Sequence, residues 1–182
     1  MKVRRGFVSN SSSSSFIMAF SEKIPETVEE LHSILFWDNV TGVITSTYSE
    51  SVVSTHLLAT RIFEKIKKEG TSNKAEIIEK LAWSDQTRAL QAEYFALHEN
   101  YKDDTKAYKQ AQSLLDQQMT EAAERIYKYV LCKGSGYDHV PPSNVVMVEF
   151  EDNGLSIDAI IEHSAIINDD GYRLTVVTVN NH

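Results

Sequence analysis

The chain has a single cysteine, Cys132, among 182 residues. A lone thiol excludes an intramolecular disulfide and any multi-cysteine metal site, and it suits a reducing compartment. Proline and glycine are scarce too, at 3 and 7 residues, and neither occurs between Ser84 and Leu131. No run approaches the roughly 18 apolar residues that cross a bilayer. The segment after Arg4 and Arg5 is serine-rich, not the run of about 7–15 apolar residues of a secretory signal. Positive charge is in the minority, with 18 Lys and Arg against 26 Asp and Glu and a net charge of −8. That balance disfavours binding through phosphate neutralisation, so no direct nucleic-acid binding is expected. These shortages together predict a soluble, cytoplasmic protein with no membrane segment.

Hydrophobic residues at 42% and charged residues at 24% are ordinary for a folded chain of this length. The expected class is α+β in a single domain: a serine-rich leader and first strand over 1–20, a helical region over 21–133, and a β module over 143–182. Phe16–Phe20 is an apolar block compatible with a buried strand. Pro25, then Thr27 and Glu30, signal an amphipathic helix over 26–37. Residues 40–48 are β-branched and turn-rich, either a strand or an extended connection. Ser49 or Ser51 would cap a helix carrying Val52, Val53, Leu57, Leu58, Ile62, Phe63 and Ile66, stopped by Gly70. Asn73 and Glu76 open a shorter helix to about Trp83.

From 84 to 131, Leu90, Tyr94, Leu97, Tyr101, Tyr108, Ala111, Leu115, Ala122, Ile126 and Tyr129 step at helical intervals. One continuous helix would be about 70 Å long at about 1.5 Å per residue. The alternatives are a projecting arm, able to pair with another copy, or a hairpin or kink near Asn100–Asp104. Gly134-Ser-Gly and Pro141-Pro142 mark a boundary. Beyond it, strands over 144–151, about 157–161 and 172–179 form an antiparallel meander, with 157–161 readable as helix instead. Helices 26–37 and 51–69 are available to cover its apolar face.

Three constellations could carry function. Arg4, Arg5 and the serines Ser11, Ser12, Ser13, Ser14 and Ser15 could hold an anion, if the run forms a loop with converging N–H groups. No Gly-Lys-Ser/Thr ending makes it a phosphate loop, and no base is placed to activate a serine. Asp152, Glu162, His163 and His182 could form a metal or polar site, although surface acids on a hairpin would look the same. Tyr94, Tyr101 and Tyr108 could lie on a partner-binding surface, although core packing also accounts for such a seam. His32, His56 and His98 fall in helices and read as surface or boundary residues. No motif specifies a cofactor or a catalytic residue.

The opening, Lys2-Val-Arg-Arg-Gly-Phe-Val-Ser-Asn-Ser-Ser-Ser-Ser-Ser-Phe-Ile17, resembles the leader of uncharacterised small proteins of tailed bacteriophages and some bacteria. Their form is Arg-x-Gly-Phe-Val-Ser-Asn, five serines, Phe and Ile. A second likeness is the β module that often ends such proteins, with an acidic-Asp-x-Gly turn, a Glu-His pair and a terminal histidine. Glu151-Asp152-Asn153-Gly154, Glu162-His163 and His182 are similar to it, and Ser164 stands where glycine often follows Glu-His. Residues 21–140 carry no resemblance. The resemblance implies a phage-encoded or phage-derived accessory protein acting in the host cytoplasm, and it brings no family chemistry.

It also implies that leader and β module belong together, with Phe16–Phe20 a strand of the same sheet and the serines at its mouth near Glu162, His163 and His182. The leading expectation is a protein that binds and modulates a host or phage protein, with self-association through 84–131 a further option. The alternatives are a metal- or phosphate-dependent hydrolase or ligand-binding protein built on the serines and the Glu-His pair, and a minor virion-associated structural protein.

Overall fold

The computed structural model describes residues 13–39, 41–46, 50–101, 105–133, 141–151, 157–163, 166–167 and 173–181. Arg4, Arg5, Ser11, Ser12, Asp152, His182 and the expected turns at 152–154 and 169–171 lie outside them.

The fold is α+β, built round one strand. Ser13–Phe20 (β1) lies between Val145–Glu151 (β4) and Leu174–Asn181 (β5), antiparallel to both. The expected meander is therefore corrected. β4 and β5 do not pair with each other, and residue Ile17 bridges them, opposite Met147 on one side and Val177 on the other. The segment Ile157–His163, read first as a strand, is a helix (α6). Its Ala159, Ile160 and Ile161 are all buried, and Ile157 packs on the same core cluster. A short apolar run is periodic in either conformation, and packing against β4 decides between them.

Successive side chains of a strand face opposite ways, so a central strand must satisfy two layers. Phe16, Met18 and Phe20 join Val146, Val148, Phe150 and Leu174 in one core cluster. It is closed by Val28–Leu35 (α1), Thr55–Glu69 (α2) and α6, through Leu31, Leu58, Ile62 and Ile161. Ile17 and Ala19 face the other way, onto Ile77 and Leu81 of Lys74–Ala82 (α3) and onto Met119, Ala123 and Tyr127 of Thr105–Lys133 (α5). Helices 26–37 and 51–69 were expected to cover one face, and α1 and α2 do so. The second covered face explains why Phe16–Phe20 is apolar at every position instead of alternating.

Local signals set most helix ends. Thr27 Oγ1 accepts the Glu30 N–H at 3.2 Å at the start of α1, while the Glu30 carboxylate accepts from Glu26 N–H. Asn73 caps α3 by accepting the Ala75 N–H at 3.0 Å, and its amide donates to Glu76. α2 begins later than expected. Val52 and Val53 belong to a strand, Val52–Ser54 (β3), paired with Val43–Thr45 (β2), so Ser51 does not cap the helix. Gly70 ends α2, and its hydrogen is needed for a close approach. A Cβ there would collide with the Ile66 carbonyl and lie 2.8 Å from Val146 on β4.

The long helical stretch divides into Arg88–Asn100 (α4) and α5, which pack against each other. Gln112 Nε2 donates to the Tyr94 hydroxyl at 2.9 Å, across the pair. Twenty-nine residues make α5 about 44 Å long. Its first half holds α4, and its second half covers the sheet. The seam holds at Leu115, which is buried, and at Ile126, which packs on the second core cluster, but Met119, Ala123 and Tyr127 complete the buried set in place of Ala122 and Tyr129, and Tyr129 is exposed.

Candidate functional site

Two places bring together the residues singled out in the sequence. The first is the serine end of β1. Ser13–Ser15 are strand, not loop. Their backbone groups serve β4 and β5 in alternation, so they do not converge on an anion in the manner expected of a nest. Their hydroxyls are divided between the two faces. Ser13 Oγ donates to Glu149 Oε1 at 3.0 Å, and the same oxygen accepts from Lys80 Nζ at 3.4 Å. On the opposite face Ser14 Oγ donates to Glu162 Oε1 at 3.1 Å.

The structure thus brings Ser14, Glu162 and His163 together. Glu162, on the last turn of α6, has a side chain only 2% exposed, and His163 Nε2 stands 3.9 Å from its Oε2. That oxygen is buried and accepts no hydrogen bond from the described residues. A buried polar atom without a partner is costly, and water or a cation commonly supplies the missing contact. Adjacent ligands of a tetrahedral Zn²⁺, each at about 2.0–2.1 Å, stand about 3.4 Å apart. The 3.9 Å pair would need only a small closure to act as two such ligands. Among the described residues no group of three potential metal ligands converges. A serine nucleophile is poorly served here. Ser14 is buried, and its hydroxyl proton is engaged by the Glu162 carboxylate.

What fixes α6 was not read from the sequence. Arg61 of α2 grips Asp158 with two parallel bonds, Nε to Oδ1 at 2.6 Å and Nη2 to Oδ2 at 2.7 Å. The Asp158 carboxylate beside it raises the Arg61 guanidinium above its ordinary pKa. This fork pins α6 to α2 one turn before Glu162. The two residues are 97 positions apart in the chain, and nothing local links them. His32 is similarly structural, with Nε2 2.8 Å from Thr55 Oγ1.

The second place is the helical face. Tyr94 is half-buried between α4 and α5, Tyr108 is half-buried on α5, and Tyr101 is exposed just past α4. The more prominent aromatics are ones the seam omitted. Trp83 is 40% exposed and Phe95 68% exposed. Their ring centroids lie 6.1 Å apart, and Trp83 meets Tyr94 edge-on at 5.5 Å. Beside Trp83, α3 and α5 enclose an open groove of about 790 Å³ whose floor is Ile78, Ala82 and Met119. Phe95 follows Tyr94 directly, so it fell off the periodic stripe. That misfit was the available signal: a large apolar residue that a helix does not turn inward.

No helix among the described residues is long and apolar enough to cross a membrane. Compared with protein-family models, curated proteins and solved structures, the chain matches none of them.

Proposed function

We propose that this is an accessory protein, encoded by a tailed phage or derived from one, that binds and modulates a host protein through its helical half. The observation that carries the reading is the exposed pair Trp83 and Phe95 beside an apolar groove. Large aromatics are favoured at the centres of interfaces, because each removes much apolar area from water on contact. An aromatic strip that runs on into a groove is not accounted for by scattered surface residues. The phage origin rests on the leader over 2–17, and the acidic net charge favours a partner of opposite sign.

The test is affinity capture from host lysate with the full chain and with Phe95→Ser. A saturable partner held by the first and lost by the second supports the reading. No saturable partner, or equal capture by both, refutes it. Mass spectrometry of purified virions separates a soluble role from that of a minor structural protein.

A second reading is ligand or metal binding at Ser14, Glu162 and His163, carried by the buried Glu162 Oε2, which accepts no hydrogen bond from the described residues. Metal analysis of untagged protein, with thermal shifts in Zn²⁺, Mn²⁺ and Mg²⁺, decides it. Bound metal lost in Glu162→Gln supports it, and neither metal nor shift ends it.

A further inference from the structure

We infer that the α3–α5 groove takes a basic amphipathic helix of the partner, an inference that rests on the partner-binding reading above. The groove lies between two packed helices, and a third helix seats against such a pair by laying an apolar stripe along it. Its floor is apolar, with Ile78, Ala82 and Met119, and the strip continues over Trp83 to Phe95. α3 spans nine residues, about 13 Å, which matches two to three turns of an incoming helix. Anchors at i, i+3 or i+4 and i+7 would fall along that length.

Charge selects the occupant. Among the described residues that line the groove are Glu79, Asp116 and Glu124, against one cation, Lys74. Lys74 is already engaged, with Nζ 5.8 Å from the centre of the Tyr127 ring. An apolar stripe flanked by Lys and Arg therefore meets opposite charge on both helices. A second copy of this chain fits badly, because it would bring the same acidic rim and a net charge of −8.

The test uses the full chain with Trp37→Phe. Trp37 is exposed, and its removal leaves Trp83 the only tryptophan. The emission of Trp83 is followed while three peptides of about 14 residues, roughly four turns, are added. One is an amphipathic Leu/Lys helix, one has the same pattern in Leu/Glu, and one is a Leu/Lys scramble without a stripe. The expected result is a saturable blue shift with the first peptide alone. It should weaken about tenfold or more in Glu79→Lys/Glu124→Lys, and it should weaken as salt rises. Both substitutions are at exposed positions, and a thermal melt confirms that the variant is folded.

Equal response to the Leu/Glu helix or to the scramble would overturn the inference. So would indifference to the charge reversal, or sedimentation showing that the protein is a dimer whose groove is closed. If the peptides fail while capture of a partner stays sensitive to Phe95→Ser, the basic helix is discarded and the partner reading stands.

Discussion

Single side chains show where the fold carries unmet polar demand. Ser14 supplies one hydrogen bond to the buried Glu162 carboxylate, whose other oxygen has none from the described residues. Ser14→Ala should therefore cost about 1–3 kcal/mol, since it leaves a buried acceptor less satisfied. Urea unfolding measures this, and an unchanged midpoint would refute it. Tyr127 is the opposite case. Its hydroxyl is buried without a hydrogen-bond partner among the described residues, and burial pushes its pKa above the ordinary value of 10.0. In the folded state the phenol keeps its proton at pH values where the unfolded chain has lost it. This contribution is therefore fully present below about pH 10 and is lost as pH rises beyond it. Tyr127→Phe should be neutral or stabilising near pH 7 and should flatten the alkaline loss, as thermal melts across pH 8–11.5 would report.

Within one helix, burial separates neighbours that composition treats alike. Leu97 is 4% exposed and Phe95 68%, two residues apart on α4. Leu97→Ala should cost about 2–4 kcal/mol, whereas Phe95→Ser should change stability by less than about 0.5 kcal/mol. Reversal of that order in chemical denaturation would overturn the assignment of faces. At the end of α2, Gly70→Ala should be destabilising although the backbone conformation there is ordinary, because a methyl group would strike Ile66 and Val146. Elements with local signals were legible in the sequence: the caps at Thr27 and Asn73 and the stop at Gly70 all fall where they were read. Periodicity failed where it was degenerate. Ala122 and Ala123 serve a helical stripe equally well, so the register of α5 was fixed by Met119 and Tyr127 against the sheet. Ile157–Ile161 is apolar enough for either conformation. The Arg61–Asp158 fork joins elements 97 positions apart, and no local pattern announces it.

For the molecule as a whole, both ends of the described chain meet in one sheet, with β1 at its centre and helices on both faces. That Phe16–Phe20 shares the C-terminal sheet followed from pairing the leader with the β module. That the strand is central, and buried on both sides, did not follow. Deleting 174–182 removes a partner strand from β1 along with Leu174, Val177 and Val179, and it should abolish cooperative unfolding. A sharp thermal transition in the truncated chain would contradict this. The same architecture leaves the outer surface of α3, α4 and α5 outside the core, and there Trp83, Phe95 and an acid-lined groove are presented together. The most direct test of that surface is photo-crosslinking in host lysate from a benzophenone amino acid at position 95, with exposed position 33 on α1 as control. One dominant adduct is expected from position 95, mapping to a partner helix with apolar residues flanked by Lys and Arg, and absent from position 33. The same adducts from both positions, or none from position 95 at saturating lysate, would contradict it.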